Sequence, residues 1–158
     1  MTTSASQPNG IRIRPAERAD LLEVVRIERT SFPQPWPLGA FEQHLGKPGF
    51  LIAASGPTIA GYVVADTTPN PDRQLGHIKD LAVHPEYRDR GLGSRLLSRG
   101  LGVLAARGVG LVKLEVRPSN ERAQSLYTEH GFQVHHRVPS YYADGEDALV
   151  LVTDLTGR

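Results

Sequence analysis

The chain contains no cysteine, which excludes disulfides, thiolate metal sites and cysteine nucleophiles. It also contains no apolar run near the roughly 20 residues of a membrane-spanning helix, and "MTTSASQPNG" lacks the apolar centre of a signal peptide. Its 18 basic and 17 acidic residues nearly cancel, so its overall charge does not indicate binding to nucleic acid or to a membrane. These absences predict a cytoplasmic protein that recognises its partners locally.

Strand and helix signals alternate along a chain of 158 residues, a length that suits one domain. We place that domain at residues 10–156, behind a flexible tail at residues 1–9. Apolar periodicity, prolines and glycines predict a mixed α and β fold with six or seven strands. The predicted strands are 11–15, 50–55, 58–67, 75–84, 110–116, 132–138 and 147–155, and the predicted helices lie within 17–32, from about 38, at 92–107 and at 119–130.

The stretch "EYRDRGLGSRLL" at 86–97 places two glycines before a leucine-rich helix. The first turn of a helix has unpaired N–H groups and a partial positive charge, so a glycine loop in front of it can surround an anion. Arg88 and Arg90 add positive charge, and Ser94 adds a hydroxyl. The alternative is a plain structural turn. A dinucleotide loop needs a third glycine where Leu96 stands, and the Gly-Lys-Ser/Thr of a mononucleotide loop is absent.

Three segments in the same order resemble the GNAT acetyltransferases, and in particular their RimI-type N-terminal members. They are "LAVHPEYRDRGLGSRLL" at 81–97, "LEVRPSNERAQSLYTEHGF" at 114–132 and "YYADGEDALVL" at 141–151. The resemblance extends from about Ile11 to Leu155. It implies the GNAT fold, with a mostly antiparallel sheet flanked by about four helices, and an enzyme that acetylates the N-terminal α-amine of a protein.

The resemblance also implies acetyl-CoA as co-substrate and assigns the residues that hold it. The backbone of one strand would pair with the pantetheine arm as an added strand does, and the arginine-glycine loop would bind the pyrophosphate. Asn120 and Tyr127 would lie near the pantetheine, although Asn120 is also placed to cap a helix. The remaining cofactor-binding residues are Leu81, Ala82, Val83, Arg88, Asp89, Arg90, Gly91, Leu92, Gly93 and Ser94.

Two residues match the catalytic positions of RimI-type enzymes, where Glu115 would be the general base and Tyr127 the general acid. A peptide α-amine has a pKa of about 8 and must lose a proton before it attacks a thioester, whereas a neutral phenol can protonate the departing thiolate. A lone carboxylate base is better suited to deprotonating this α-amine than to deprotonating a lysine side chain, whose pKa is about 10.4. The alternatives are that Glu115 is a solvated strand carboxylate and that Tyr127 only packs.

His77 is a rival base on the preceding strand and ranks below Glu115. Direct transfer from the cofactor to an amine needs no protein nucleophile and no metal. The histidines 44, 84, 135 and 136 also lack a spacing typical of metal ligands.

Aromatic residues in two regions are candidates for gripping an extended peptide end. Phe32 and Trp36 lie in a proline-rich segment, and Tyr141 and Tyr142 lie beside a turn. In the family these regions flank the acceptor groove, although closing the core is an equally good interpretation. The expected partner is a protein N-terminus, for example that of a ribosomal protein, and the expected state is a monomer or weak dimer. Rival functions are a GNAT that acetylates lysine or a small amine, and an inactive CoA-binding module.

Overall fold

The computed structural model describes residues 10–69 and 74–157. The tail predicted at residues 1–9 lies outside the described residues. Every predicted strand and helix is present, with ends that differ from the prediction by a few residues. The strands are β1 (Ile11–Pro15), β2 (Phe50–Ser55), β3 (Thr58–Thr68), β4 (Leu75–Val83), β5 (Leu111–Val116), β6 (Gln133–Val138) and β7 (Ala148–Asp154), and the helices are α1 (Leu21–Ser31), α2 (Leu38–Glu42), α3 (Leu92–Ala106) and α4 (Glu121–Glu129).

The seven strands form one sheet in the order β1-β2-β3-β4-β5-β7-β6. The pairs β1–β2, β2–β3, β5–β7 and β6–β7 are antiparallel. The pair β4–β5 is parallel, with a register that runs from Leu75↔Leu111 to His77↔Lys113. The predicted mixed fold, with a mostly antiparallel sheet and four helices, is therefore confirmed.

The described residues divide into two compact units, one made of 10–64 together with 80–100, and the other of 65–69 and 74–79 together with 101–157. In the first unit, the apolar face of α1 packs with α2, β2 and β3. Since residues three and four apart share a helix face, the spacing of Leu21, Val24 and Val25 on α1 supplies that face. The largest buried side chains of this core are Phe41, Phe50, Ile52 and Tyr62.

In the second unit, β5 alternates between buried and partly exposed residues. Val112, Leu114 and Val116 point into the core, which leaves Lys113 and Glu115 on the opposite face. Gly76 on β4 lets its neighbours pack closely, because a Cβ there would lie 2.9 Å from a methyl of Leu104. The alternation of β5 therefore determines which face of the sheet carries ionisable side chains.

Candidate active site

The arginine-glycine loop, residues 88–94, contains two residues with left-handed backbone directly before a helix. Asp89 and Gly91 have positive φ angles of 63° and 77°, and α3 begins directly after them at Leu92. An added Cβ at Gly91 would meet no other atom within 4 Å, so glycine serves here to allow the left-handed backbone. Turns of this kind point successive N–H groups to one side, where they attract an anion.

The guanidinium of Arg88 forms hydrogen bonds with residues on both sides of this loop's attachment to the first unit, the end of β4 and the end of α1. Its Nε donates to the carbonyl of Val83 at 3.0 Å, and Nη2 lies 3.3 Å from Ser31 Oγ. Arg90 is exposed, and its Cζ lies 5.4 Å from the ring centroid of Tyr87. Arg88 therefore fixes the loop to the end of β4 and to α1, while Arg90 is the more accessible cation.

The β4 residues Leu81, Ala82 and Val83 lie beyond the register with β5. The N–H of Leu81 donates to Oδ1 of Asp80 at 3.0 Å, and the carbonyl of Val83 accepts from Arg88. Ala82 is buried. Two of the backbone groups expected to pair with pantetheine therefore already have partners within the first unit.

Glu115 lies in a cluster with His77 and Lys113, which we call the Glu115 site. Its Oε1 is 2.7 Å from His77 Nε2, and its Oε2 is 3.1 Å from Lys113 Nζ. Only 14% of the Glu115 side chain is exposed. The interpretation of Glu115 as a solvated strand carboxylate is therefore wrong, and so is the expectation of a lone carboxylate.

The Glu115 site keeps its carboxylate ionised. Burial by itself raises the pKa of Glu115, but the hydrogen bonds and charges of His77 and Lys113 outweigh it and lower the pKa to about 2. From the sequence, His77 was expected only as a rival base, and Lys113 was not identified. The alternation of "LVKLEV" predicts that Lys113 and Glu115 share a face, so this neighbour was detectable.

Tyr127 lies on α4 in the same unit and is buried, with 8% of its surface exposed. Its ring packs edge-on against Phe132, with centroids 5.8 Å apart. Asn120 precedes α4, and its Oδ1 accepts from the N–H of Ala123 at 3.1 Å. The capping interpretation of Asn120 is thus confirmed, and the roles of both residues toward the cofactor stay predictions.

Tyr142 is held by a charged network that was not expected from the sequence. The guanidinium of Arg117 stacks on the Tyr142 ring at 4.0 Å and pairs with Asp144 and Glu146, each at 2.8 Å. Glu146 Oε2 also accepts from the N–H of Ser119 at 3.0 Å. Arg117 therefore fastens the β6–β7 connection to the end of β5, and burial raises the pKa of Tyr142 to about 12.

Tyr141 packs edge-on against Tyr142 at 4.9 Å and is 50% exposed. Burial and the negative charge of Glu115 raise the pKa of Tyr141, and Lys113 partly opposes them. The structure thus brings Tyr141 near the Glu115 site in the second unit.

Phe32 and Trp36 belong to the first unit and are partly buried against its core. The Trp36 ring stacks on His44 at 5.8 Å and contacts Phe41 at 5.2 Å. The backbone N–H of Trp36 donates to a buried carboxylate, Glu28. The structure therefore uses the Trp36 ring in packing, and a substrate-binding role for these residues stays a prediction.

In the described part of the chain, no group of three or more His, Cys, Asp or Glu side chains is suited to hold a metal ion. No helix within residues 10–69 and 74–157 has the length and apolar character needed to cross a membrane.

The model of the Acetyltransferase (GNAT) family matches residues 21–132. The N-alpha-acetyltransferase of Sulfurisphaera tokodaii is 32% identical to this chain, over 91% of this chain and 93% of its own. The N-alpha-acetyltransferase RimI of Mycobacterium tuberculosis is 34% identical, over 96% of each chain. The crystal structure of the ribosomal-protein-S18-alanine N-acetyltransferase from Escherichia coli is similar with a TM-score of 0.77, at 29% identity over 92% of this chain and 94% of that one.

Proposed function

The chain belongs to the GNAT family of acetyltransferases, and from this premise we propose that it transfers the acetyl group of acetyl-CoA directly to the N-terminal α-amine of a protein. The N-alpha-acetyltransferases to which it is similar match it over nearly their whole length, which supports this substrate class. The observation within the molecule that carries the proposal is the Glu115 site, where an ionised carboxylate holds an imidazole.

Glu115 alone is a poor acceptor for the proton of the substrate ammonium. The pKa of an α-amine is about 8 and that of Glu115 is about 2, so direct proton transfer between them is uphill by about 8 kcal/mol. His77 Nε2 lies 2.7 Å from Glu115 Oε1, and an imidazole is the side chain that most often serves as a general base. We therefore assign proton acceptance to Glu115 and His77 together, which changes the ranking of the two that was expected from the sequence.

The hydrogen bond between these two residues gives each a role. When Nε2–H of His77 donates to Glu115, the lone pair of the ring lies on Nδ1, which has no hydrogen-bond partner among the described residues. A proton taken up at Nδ1 creates an imidazolium that the Glu115 carboxylate stabilises. Glu115 thus orients the ring and balances its charge, and His77 receives the proton directly or through water.

The remaining steps are the binding of acetyl-CoA and the departure of the CoA thiolate. The arginine-glycine loop would hold the pyrophosphate of acetyl-CoA through its N–H groups and Arg90, with Arg88 fixing the loop. Leu81, Ala82, Val83 and Asn120 would contact the pantetheine. The deprotonated amine would attack the thioester carbonyl, and Tyr127 would protonate the CoA thiolate as the C–S bond breaks. The proton that the new amide nitrogen loses would return to Tyr127.

The finer features of the proposal concern the substrate. Phe32, Trp36, Tyr141 and Tyr142 are the proposed contacts for the first residues of the peptide. A small first side chain is the easiest to accommodate. A ribosomal protein is the proposed physiological substrate, since the similar Escherichia coli enzyme acts on the alanine of ribosomal protein S18. The proposal also includes a cytoplasmic location and a monomer or weak dimer.

Matched peptides test the choice of amine. One set begins with a free Ala or Ser and contains an internal lysine, and the other has the same sequences with a blocked N-terminus. We expect acetylation of the α-amine in the first set and almost none in the second, because lysine is neutral at pH 7 less often than an α-amine by about two to three orders of magnitude. Mass spectrometry locates the acetyl group on each product.

Two results would contradict the proposal. Predominant lysine acetylation in both sets would favour the rival lysine acetyltransferase. Acetyl-CoA binding measured by calorimetry, with no acetylation of any peptide, would favour a CoA-binding module.

A further inference from the structure

A second carboxylate, Glu28 on α1, is buried in the first unit with 2% of its surface exposed. Its Oε1 accepts from the hydroxyl of Tyr62 at 2.6 Å, and its Oε2 accepts from the backbone N–H of Trp36 at 2.9 Å. A buried carboxylate is costly unless donors surround it. Both oxygens of Glu28 have a donor, so the side chain ties α1 to β3 and to the proline-rich segment.

Asp80 on β4 is the neighbour of Glu28. Its Oδ1 accepts from the N–H of Leu81 at 3.0 Å, whereas its buried Oδ2 has no donor among the described residues. Burial, the hydrogen bond to Glu28 and the negative charge of Glu28 raise the pKa of Asp80 well above its ordinary value. If Oδ2 carries a proton, it becomes a hydrogen-bond donor to Glu28, and the buried oxygen of Asp80 then has a partner.

We propose that Glu28 and Asp80 share one proton, and that this pair positions the 32–37 segment, with Glu28 as the positioning residue that holds Trp36. The inference rests on the proposed function, because that function places the peptide substrate against Phe32 and Trp36. Asp80 directly precedes the strand residues that we assign to pantetheine. The shared proton therefore links α1, whose Glu28 holds the 32–37 segment, to Asp80 on β4 within the first unit.

The pair makes the position of the segment sensitive to a rise in pH. The titratable groups that face Asp80 are Glu28 on α1 and Tyr62 on β3. Burial raises the pKa of Tyr62, so this phenol stays a neutral donor while the carboxyl pair titrates. Loss of the shared proton leaves two adjacent buried carboxylates, whose repulsion separates α1 from β4 and displaces Trp36.

Trp36 is the single tryptophan of the chain, so its fluorescence reports on this segment alone. We expect its emission in the wild type to change as the pH rises and the pair loses its proton, together with a rise in KM for the peptide. Acetyl-CoA affinity should stay constant over the same range. In Asp80→Asn, an amide hydrogen replaces the shared proton and cannot be lost, so both pH transitions should disappear.

Two further variants separate positioning from general structure. Glu28→Gln should raise the KM for the peptide at every pH by about ten- to a hundredfold, the loss expected for hydrogen bonds to a charged group. Glu23→Gln, which alters a surface ion pair with Arg26 on the same helix, should behave like the wild type. If Glu28→Gln fails to fold, the Asp80→Asn comparison still decides the proposal.

Trp36 emission that is independent of pH in the folded wild type would overturn the proposal. A transition that persists unchanged in Asp80→Asn would overturn it as well. The fluorescence measurement needs no substrate, so it is independent of the proposed function. An absence of peptide acetylation beside the expected Trp36 transition would refute the function and retain the shared proton.

Discussion

Each of the two compact units contains a cluster of ionisable side chains around a carboxyl group. The carboxyl group is kept ionised in one cluster and protonated in the other. In the second unit, Glu115 lies between His77 and Lys113, and its pKa falls to about 2. In the first unit, Asp80 lies beside Glu28, and its pKa rises well above the ordinary value. Burial acts in the same direction on Glu115 and Asp80, so the neighbouring charges decide the difference.

This comparison shows that the type of side chain does not reveal what a carboxyl group does. A carboxylate kept ionised beside an imidazole can stabilise a positive charge during proton transfer. A carboxyl group kept protonated beside a carboxylate is a hydrogen-bond donor and thus a structural link. We assign the first arrangement to catalysis and the second to positioning, and variants at each cluster test that division.

The largest expected effect is on turnover in Glu115→Gln. General base catalysis contributes about 10²–10⁴-fold, so the rate of peptide acetylation should fall by a factor in that range. The rate should recover partly at high pH, where the α-amine loses its proton unaided. Steady-state kinetics across pH measures this, and calorimetry should show that the affinity for acetyl-CoA changes little.

Two variants serve as controls for Glu115→Gln. Tyr127→Phe should also lower turnover but without recovery at high pH, because it removes the proposed general acid. Glu129→Gln changes an exposed carboxylate on α4 and should leave the kinetics unchanged. Normal turnover in both Glu115→Gln and Tyr127→Phe would show that these residues only pack.

A smaller effect is expected on stability in acid. The pKa of Glu115 is lower in the folded state, so the stability it contributes is present above about pH 4.5 and is lost as the pH falls toward about 2. The shift from 4.5 to about 2 corresponds to about 3 kcal/mol. Urea unfolding across this range should show the wild type losing that much more stability than Glu115→Gln.

Asp80 should affect stability with the opposite sign. Because its pKa is raised in the folded state, its contribution is present below about pH 4 and is lost as the pH rises through the folded value. Asp80→Asn has no proton to lose, so it should gain stability relative to the wild type as the pH rises. If the free energy of unfolding depends on pH in the same way in the wild type, Glu115→Gln and Asp80→Asn, the comparison is contradicted.

The sequence was a good guide to the fold. Alternation and helical spacing are local signals, so they predict the strands from β1 to β7 and a first helix within residues 17–32. The resemblance in "LEVR" identified Glu115, and the alternation of β5 implies that Lys113 shares its face. Features that depend on a single strand or a single helix were thus predictable.

The electrostatic environments were not predictable, because they depend on contacts between residues far apart in the chain. Glu28 looks like an ordinary helix residue until the fold brings Asp80, Tyr62 and Trp36 to it. Likewise, Arg88 reads as a ligand for phosphate, although its guanidinium binds Val83 and Ser31. Such tertiary hydrogen bonds leave no periodic signal in the sequence.

The most direct test is a pH titration by NMR of protein carrying ¹³C-labelled Asp and Glu carboxyl groups. Spectra of Glu115→Gln and Asp80→Asn assign the two resonances. We predict that Glu115 stays ionised down to about pH 3, whereas the resonance of Asp80 stays that of a protonated acid well above about pH 4. Titration of both groups together near the ordinary pKa of a carboxylic acid would contradict the central claim that their neighbours hold them in opposite states.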